Sequence, residues 1–208
     1  PRAGIKWQFS PKSSFALAYG LHSRMEKMDV YFVKTQGTGD RSVNKDLGFT
    51  RAHHVMLSYG FKISDNMNMK IEPYFQQLYD VPVIADSSYS VLNRRDFYVE
   101  NALVNRGKGR NIGVDITLER YLNKGLYYMV TASIFDSKYY GGDRKWRNTL
   151  YNRNFIINVL GGKEWMVGRD KQNMFSVNFK ITLQGGDRYA PVDEVATLLD
   201  PDREVQYD

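Results

Sequence analysis

Apolar and polar residues alternate along much of this chain with a period of two. Over 174–184, Phe175, Val177, Phe179, Ile181 and Leu183 fall on one side, and Ser176, Asn178, Lys180, Thr182 and Gln184 on the other. Residues 112–119 repeat the pattern, with Ile112, Val114, Ile116 and Leu118 against Gly113, Asp115, Thr117 and Glu119. Residues 53–63 give Val55, Leu57, Tyr59, Phe61 and Ile63, and near the start Ile5, Trp7 and Phe9 alternate with Lys6, Gln8 and Ser10. A helix would scatter these sets around its circumference, whereas a strand sends successive side chains to opposite faces. The pattern predicts eight strands, near 3–10, 14–23, 52–64, 67–79, 110–122, 126–138, 154–168 and 174–185.

The connections carry a second rhythm. Pro11-Lys12-Ser13, Asp65-Asn66, Asn123-Lys124-Gly125 and Lys171-Gln172-Asn173 read as tight hairpin turns. Long connections at about 24–51, 80–109 and 139–153 alternate with them, and another begins at 186. Outer-membrane barrels have short periplasmic turns at one end and long extracellular loops at the other. Most of the expected strands approach or exceed the about 9–11 residues that a tilted strand needs to cross a bilayer. The expected fold is therefore all-β, an antiparallel up-and-down transmembrane barrel segment of about eight strands.

A soluble sandwich also alternates, with its apolar face turned to a core. Two features favour the membrane. The polar faces carry long hydrogen-bonding side chains suited to a wet lumen, among them Asp115, Glu119, Asn178 and Lys180. Rings also recur near strand ends, at Trp7, Tyr74, Tyr79, Tyr121, Tyr127, Tyr128, Tyr139 and Trp165, as interfacial girdles would. Two places strain the pattern. Pro73 lies within a strand and removes a ladder donor, which predicts a bulge or a locally broken pairing. Gly161-Gly162 interrupts another strand, and Lys163 faces lipid unless a glycine bulge resets the phase.

Composition narrows the function classes. The 208 residues contain 15 Tyr, 11 Phe and 3 Trp, many rings for a chain one quarter charged. Cysteine is absent, so there is no disulfide framework, thiolate nucleophile or cysteine-based metal site. The net charge is +6, but Lys and Arg interleave with Asp and Glu, and no nucleic-acid-binding motif is present. No run approaches the about 18 apolar residues of a membrane helix. The chain opens Pro-Arg-Ala-Gly-Ile-Lys-Trp-Gln without a signal peptide, so an export signal is expected upstream.

Several longer blocks are similar to one family. NKDLGFTRAHHVMLSYGFKIS from Asn44, then MKIEPYFQQLYDVPV, NRGKGRNIGVDITLERYLNKGLYYMVTASIFDSKY, WRNTLYNRNFIINVLGGKEWMVG and GGDRYAPVD resemble the C-terminal barrel of TonB-dependent receptors. The resemblance is to the group with an N-terminal carboxypeptidase-like regulatory domain, and it covers roughly residues 15–193. It implies a barrel of about 22 strands with a plugged lumen, of which 1–208 would be a part. It further implies active import of a scarce solute and coupling to the TonB complex through an N-terminal part of the receptor. Plug, N-terminal region and final strands would lie outside these residues, and the chain would stop within an extracellular loop.

Candidate chemistry is sparse. His53 and His54 are adjacent, so a regular strand sends them to opposite faces and they cannot jointly hold a metal. Asp115 and Glu119 share a face but lie roughly 13 Å apart along a strand, too far to act on one bond. Gly107-Lys108-Gly109-Arg110 lacks the GK[ST] ending and following helix of a phosphate loop, and reads as a β-turn leading into the next strand. No Ser-His-Asp arrangement appears, and no enzyme, cofactor or metal site is expected. The ligand-binding candidates lie in the long connections: Arg94, Arg95 and Tyr98 in 80–109, and Trp146, Arg147, Asn148 and Arg153 in 139–153. Aromatic and guanidinium groups suit stacking and charged hydrogen bonding to a solute, and equally suit ordering the loops. Two alternatives remain at this point, a passive eight-stranded barrel closed on itself and a soluble β-rich binding domain.

Overall fold

The computed structural model describes residues 1–34, 42–94, 100–189 and 194–199. Among them nine strands form one antiparallel sheet: β1 (Arg2–Ser10), β2 (Ser13–Arg24), β3 (Thr50–Ser64), β4 (Met67–Val83), β5 (Val104–Asn123), β6 (Leu126–Tyr140), β7 (Trp146–Asn148), β8 (Phe155–Val167) and β9 (Asn173–Gln184). The order is β1-β2-β3-β4-β5-β6-β8-β9, with β7 beside the end of β6. Helices are short: α1 (Met28–Tyr31), α2 (Glu194–Leu199) and a 3₁₀ turn at Val91–Asn93.

The eight expected strands are present. What differs lies at the end with the long connections. β4 runs on to Val83 and β5 starts at Val104, across register shifts between Leu78 and Pro82. The quartet Gly107-Lys108-Gly109-Arg110 is therefore inside β5, not a turn before it. Both glycines sit where other chain segments press close. A Cβ on Gly107 would meet Val83 and the carbonyl of Val81, and one on Gly109 would meet Leu92. β7 adds a ninth, three-residue strand that pairs with β6 beyond the end of β8.

The turns at the other end are tight. Lys124 and Gly125 both have positive φ (51° and 72°), the requirement of a two-residue hairpin turn whose twist matches its strands. The turn before β9 is longer than Lys171-Gln172-Asn173, because β8 ends at Val167 and Gly168 and Lys171 both take positive φ.

Register brings the alternating residues of all eight long strands into common faces. One continuous row reads Trp7, Phe15, Tyr59, Ile71, Ile116, Ala132, Ile157 and Leu183. Strands paired on both sides still expose this face: Leu17 is 43%, Leu57 47%, Ile112 49% and Ile134 63% accessible. A sandwich would cover it with a second layer; among the described residues none does. The principal hydrophobic cluster instead lies in the connections. Val30, Val33 and Leu103 are buried together, with Val43, Leu47, Ile84, Tyr89 and Val91 packed against them. Those residues have no strand or helix periodicity, so the sequence pattern does not announce them.

Pro73 pairs with Val114 of β5 in unbroken register. On its other side the β3–β4 ladder resumes in the same register, with Met56↔Tyr74 before it and Tyr59↔Ile71 after. The outcome is a local gap, not a bulge. β8 likewise keeps phase through Gly161-Gly162, because Phe179, Asn178 and Val177 face Gly161, Gly162 and Lys163 in turn. Lys163 thus stays on the apolar face, and its Nζ reaches the Lys124 carbonyl at the turn, 2.8 Å away. A long amine at the end of an apolar belt reaches back to the interface in this way.

Among the described residues β1 pairs only with β2 and β9 only with β8, so these strands do not close into an eight-stranded barrel.

Candidate functional site

Two surfaces merit description, the polar face of the sheet and the cap built from the three long connections. On the polar face, hydrogen-bonded rungs cross neighbouring strands at register partners. Ser137 donates to Asn111 (2.7 Å), Asn111 to Gln76 (3.0 Å), and Thr149 to Ser137 (3.0 Å). A second rung joins Thr182 to Asn158 at 2.8 Å. Such cross-strand pairs are the unit of sheet stabilisation, each worth about 0.2–1 kcal/mol.

A depression of about 750 Å³ on this face is lined by His22, His54, Tyr74, Gln76, Asn111 and Asp115, among others. A second, of about 460 Å³ near the tight turns, includes Lys6, Lys12, Lys62, Lys70 and Glu119. Asp115, Glu119, Asn178 and Lys180 lie on the polar face of the sheet. Asp115 and Glu119 oppose Glu72 and Asn68, Asn178 accepts from Tyr127 Oη at 2.8 Å, and Lys180 opposes Leu160.

The aromatic rings divide between the faces. Trp7, Tyr79, Tyr128 and Trp165 follow the apolar rows, but Tyr74, Tyr121, Tyr127 and Tyr139 lie on the polar side. The girdle expectation is corrected for those four. Glycine supplies the reason for two of them. Tyr74 is the register partner of Gly113 and Tyr127 that of Gly162, and a Cβ on either glycine would collide with the tyrosine ring. Each ring occupies the place of the missing side chain.

His53 and His54 separate as expected. His53 stacks on Tyr79 (5.2 Å between centroids) and meets Tyr19 Oη at 2.9 Å on the apolar side. His54 lies 4.6 Å from the ring of His22 on the polar side. The His22–His54 pair escaped sequence reading because it needs the register of β2 on β3. Among the described residues no group of three or more metal-ligating side chains occurs.

The cap joins the connections to one another. Asn44, buried to 1%, donates to the Asn101 carbonyl (3.0 Å) and accepts from the Leu103 amide (2.8 Å). Asn93 accepts from the Leu150 amide (2.7 Å), and Tyr151 Oη donates to the Arg94 carbonyl (2.8 Å). Asn44→Ala leaves a buried amide and carbonyl unpaired and is expected to cost about 1–3 kcal/mol locally. Faster hydrogen exchange at Leu103 checks it, and unchanged protection there would contradict the latch.

The loop candidates are largely committed to this cap. Arg94 faces Asp29 at 3.6 Å. Arg147 grips Asp143 with both terminal nitrogens, at 2.9 and 2.7 Å. Asn148 accepts from Asn152 (3.0 Å), and Arg153 binds Asp187 (2.7 Å from Nε). Trp146 lies against Tyr140 and under the Arg110 guanidinium, 5.5 Å from its ring. Arg95 and Tyr98 lie outside the described residues. None of the described loop candidates lines the larger depression, so these residues are not gathered into one site.

The Arg147 hydrogen bonds hold the Asp143 carboxyl below its ordinary value of 3.8. A depressed carboxyl pKa stabilises above the unfolded value and is lost only as pH falls through the folded one. The clamp is therefore expected to persist from neutral pH to below 3.8 and open on further acidification. Following the Asp143 carboxyl carbon shift against pH checks this; a midpoint at or above 3.8 would contradict it.

The sheet has counterparts among solved structures. No family profile and no curated protein matches the sequence. The ferric-catecholate import receptor Fiu of E. coli K12 superimposes with a TM-score of 0.55 over 81% of this chain, at 9% identity. The FrpB iron transporter of Neisseria meningitidis matches over 88% at 15% identity, with a TM-score of 0.49. The fold is that of an outer-membrane barrel segment. The chain spans 22% of the Fiu chain and 31% of the FrpB chain.

The dimensions suit that fold. Along β5 the outward apolar residues Ile112, Val114, Ile116 and Leu118 are bounded by Arg110 and Arg120. Ten residues rise about 33 Å, which at a tilt near 45° becomes about 23 Å of height, close to the about 25 Å apolar band of such barrels. β4 and β5, at 17 and 20 residues, outlast that band and carry the cap above it.

Proposed function

We propose that this chain is a wall segment of a TonB-dependent outer-membrane receptor that actively imports a scarce solute. The apolar face would meet lipid, the polar rungs and depressions would line the lumen, and the cap would stand on the extracellular side. Asp115, Glu119, Asn178 and Lys180 would be lumen residues; the loop residues Arg94, Trp146, Arg147, Asn148 and Arg153 would shape the outer surface. The exposed apolar row on doubly paired strands carries the reading, because a water-soluble binding domain would not leave it uncovered. The unpaired edges β1 and β9 favour membership of a larger barrel over a passive eight-stranded one.

In the whole receptor, the plug and the segment engaging the TonB complex would come from the N-terminal part. Uptake should therefore require both the receptor and inner-membrane energy. Uptake in cells should stop when the receptor gene is deleted, and also when the periplasmic energy-coupling partner is deleted with the receptor intact. Uptake that survives loss of the coupling partner would make the barrel a passive pore.

A further inference from the structure

Above the apolar belt the outward face carries a row of cations. Arg110 pairs in register with Lys138, Lys108 with Tyr140, and Arg51 with Tyr79, so all lie on the side of Ile112 and Ile134. Lys138 is matched by Asp136 at 3.3 Å, and Arg51 stands 4.0 Å from Asp80. Arg110 and Lys108 have no carboxylate within ion-pair distance among the described residues. They lie over rings instead, Arg110 above Trp146 (5.5 Å) and Lys108 above Tyr140 (5.7 Å). The Nε of Arg110 is buried and has no hydrogen-bond partner.

Two unmatched cations at the edge of an apolar belt call for an anion that arrives with hydrocarbon attached. A guanidinium beside an indole face can offer its terminal N–H groups, which suit the oxygens of a phosphate. Ile112, two residues below Arg110 and 49% accessible, continues the same face downward where acyl chains would lie.

We propose that Arg110 and Lys108, backed by Trp146 and Tyr140, bind the phosphate of an anionic lipid headgroup whose chains lie on the belt below. The proposal rests on the membrane-wall reading. Native mass spectrometry of the full-length receptor with added phosphatidic acid, or phosphatidylcholine of the same chains, tests it. Phosphatidic acid should be retained preferentially, and Arg110→Gln with Lys108→Gln should weaken its retention about tenfold. Arg110→Lys should recover part of the loss, and Lys108→Gln alone, at an exposed site, should lower retention while leaving the Arg110 guanidinium in place. Lys180→Gln on the polar face should change nothing.

Equal retention of the two lipids would overturn the headgroup site and leave the wall reading intact. Retention of neither would overturn both. Full competition by inorganic phosphate would also overturn the proposal, since the site would then take a free anion.

Discussion

Ala132→Arg is expected to destabilise the membrane-embedded protein by about 2–4 kcal/mol, the cost of a guanidinium near the bilayer midplane on a lipid-facing strand. Ala132 pairs with Ile116 on one side and Ile157 on the other, midway along the apolar belt. Ser133 is its neighbour on the opposite face, across from Asp115. Ser133→Arg gains a carboxylate partner in a wet lumen and should cost less than about 1 kcal/mol. Urea unfolding of the full-length protein in lipid vesicles measures both. The contrast between adjacent positions is the informative quantity, because overall folding defects would affect both variants alike. Similar losses for the two would remove the distinction between lipid and lumen faces.

Gly125→Val is expected to lose about 2–5 kcal/mol, from strain at positive φ and from overpacking together. Its φ is 72°, and a Cβ there would strike the carbonyl oxygen of Glu164 in β8. The same turn binds β8 twice, through Glu164 N–H to the Gly125 carbonyl (2.7 Å) and Lys163 to the Lys124 carbonyl. One residue thus fixes a hairpin and its seat on the next strand. Lys124→Asn, at φ 51°, should be neutral or slightly stabilising because asparagine tolerates that conformation. A Gly125→Val protein as stable as the parent by urea unfolding would contradict this account of the turn.

The sheet was legible because a period of two writes both faces of a strand into consecutive residues. Phe175 to Leu183 and Ile112 to Leu118 needed no knowledge of their neighbours. Register is different, since it depends on which residue of one strand meets which of the next. Tyr127 lying over Gly162, Tyr74 over Gly113 and His22 beside His54 all depend on it, and alternation alone is silent on them. The extra length of β4 and β5 was hidden by glycines and by Pro82, which lower strand propensity at positions where the cap supplies the packing.

The loop candidates illustrate a chemical ambiguity. Arginine and tryptophan suit ligand binding, yet Arg147 is held by Asp143, Arg153 by Asp187, and Arg94 by Asp29. The acidic partner of each lies in a connection whose path the sequence does not disclose. Asn44 was missed for the same reason. A lone asparagine in a long loop has no distinguishing pattern until its two backbone partners are brought to it.

The most direct measurement is a cysteine scan of 112–119 in the intact protein in its membrane, helped by the absence of cysteine from these 208 residues. Each single cysteine would carry a fluorophore and be tested with chain-brominated lipid and with an aqueous quencher. Positions 112, 114, 116 and 118 should be quenched from the lipid, and 113, 115, 117 and 119 from water. Aqueous quenching at all eight positions, or loss of the alternation, would contradict a transmembrane barrel wall.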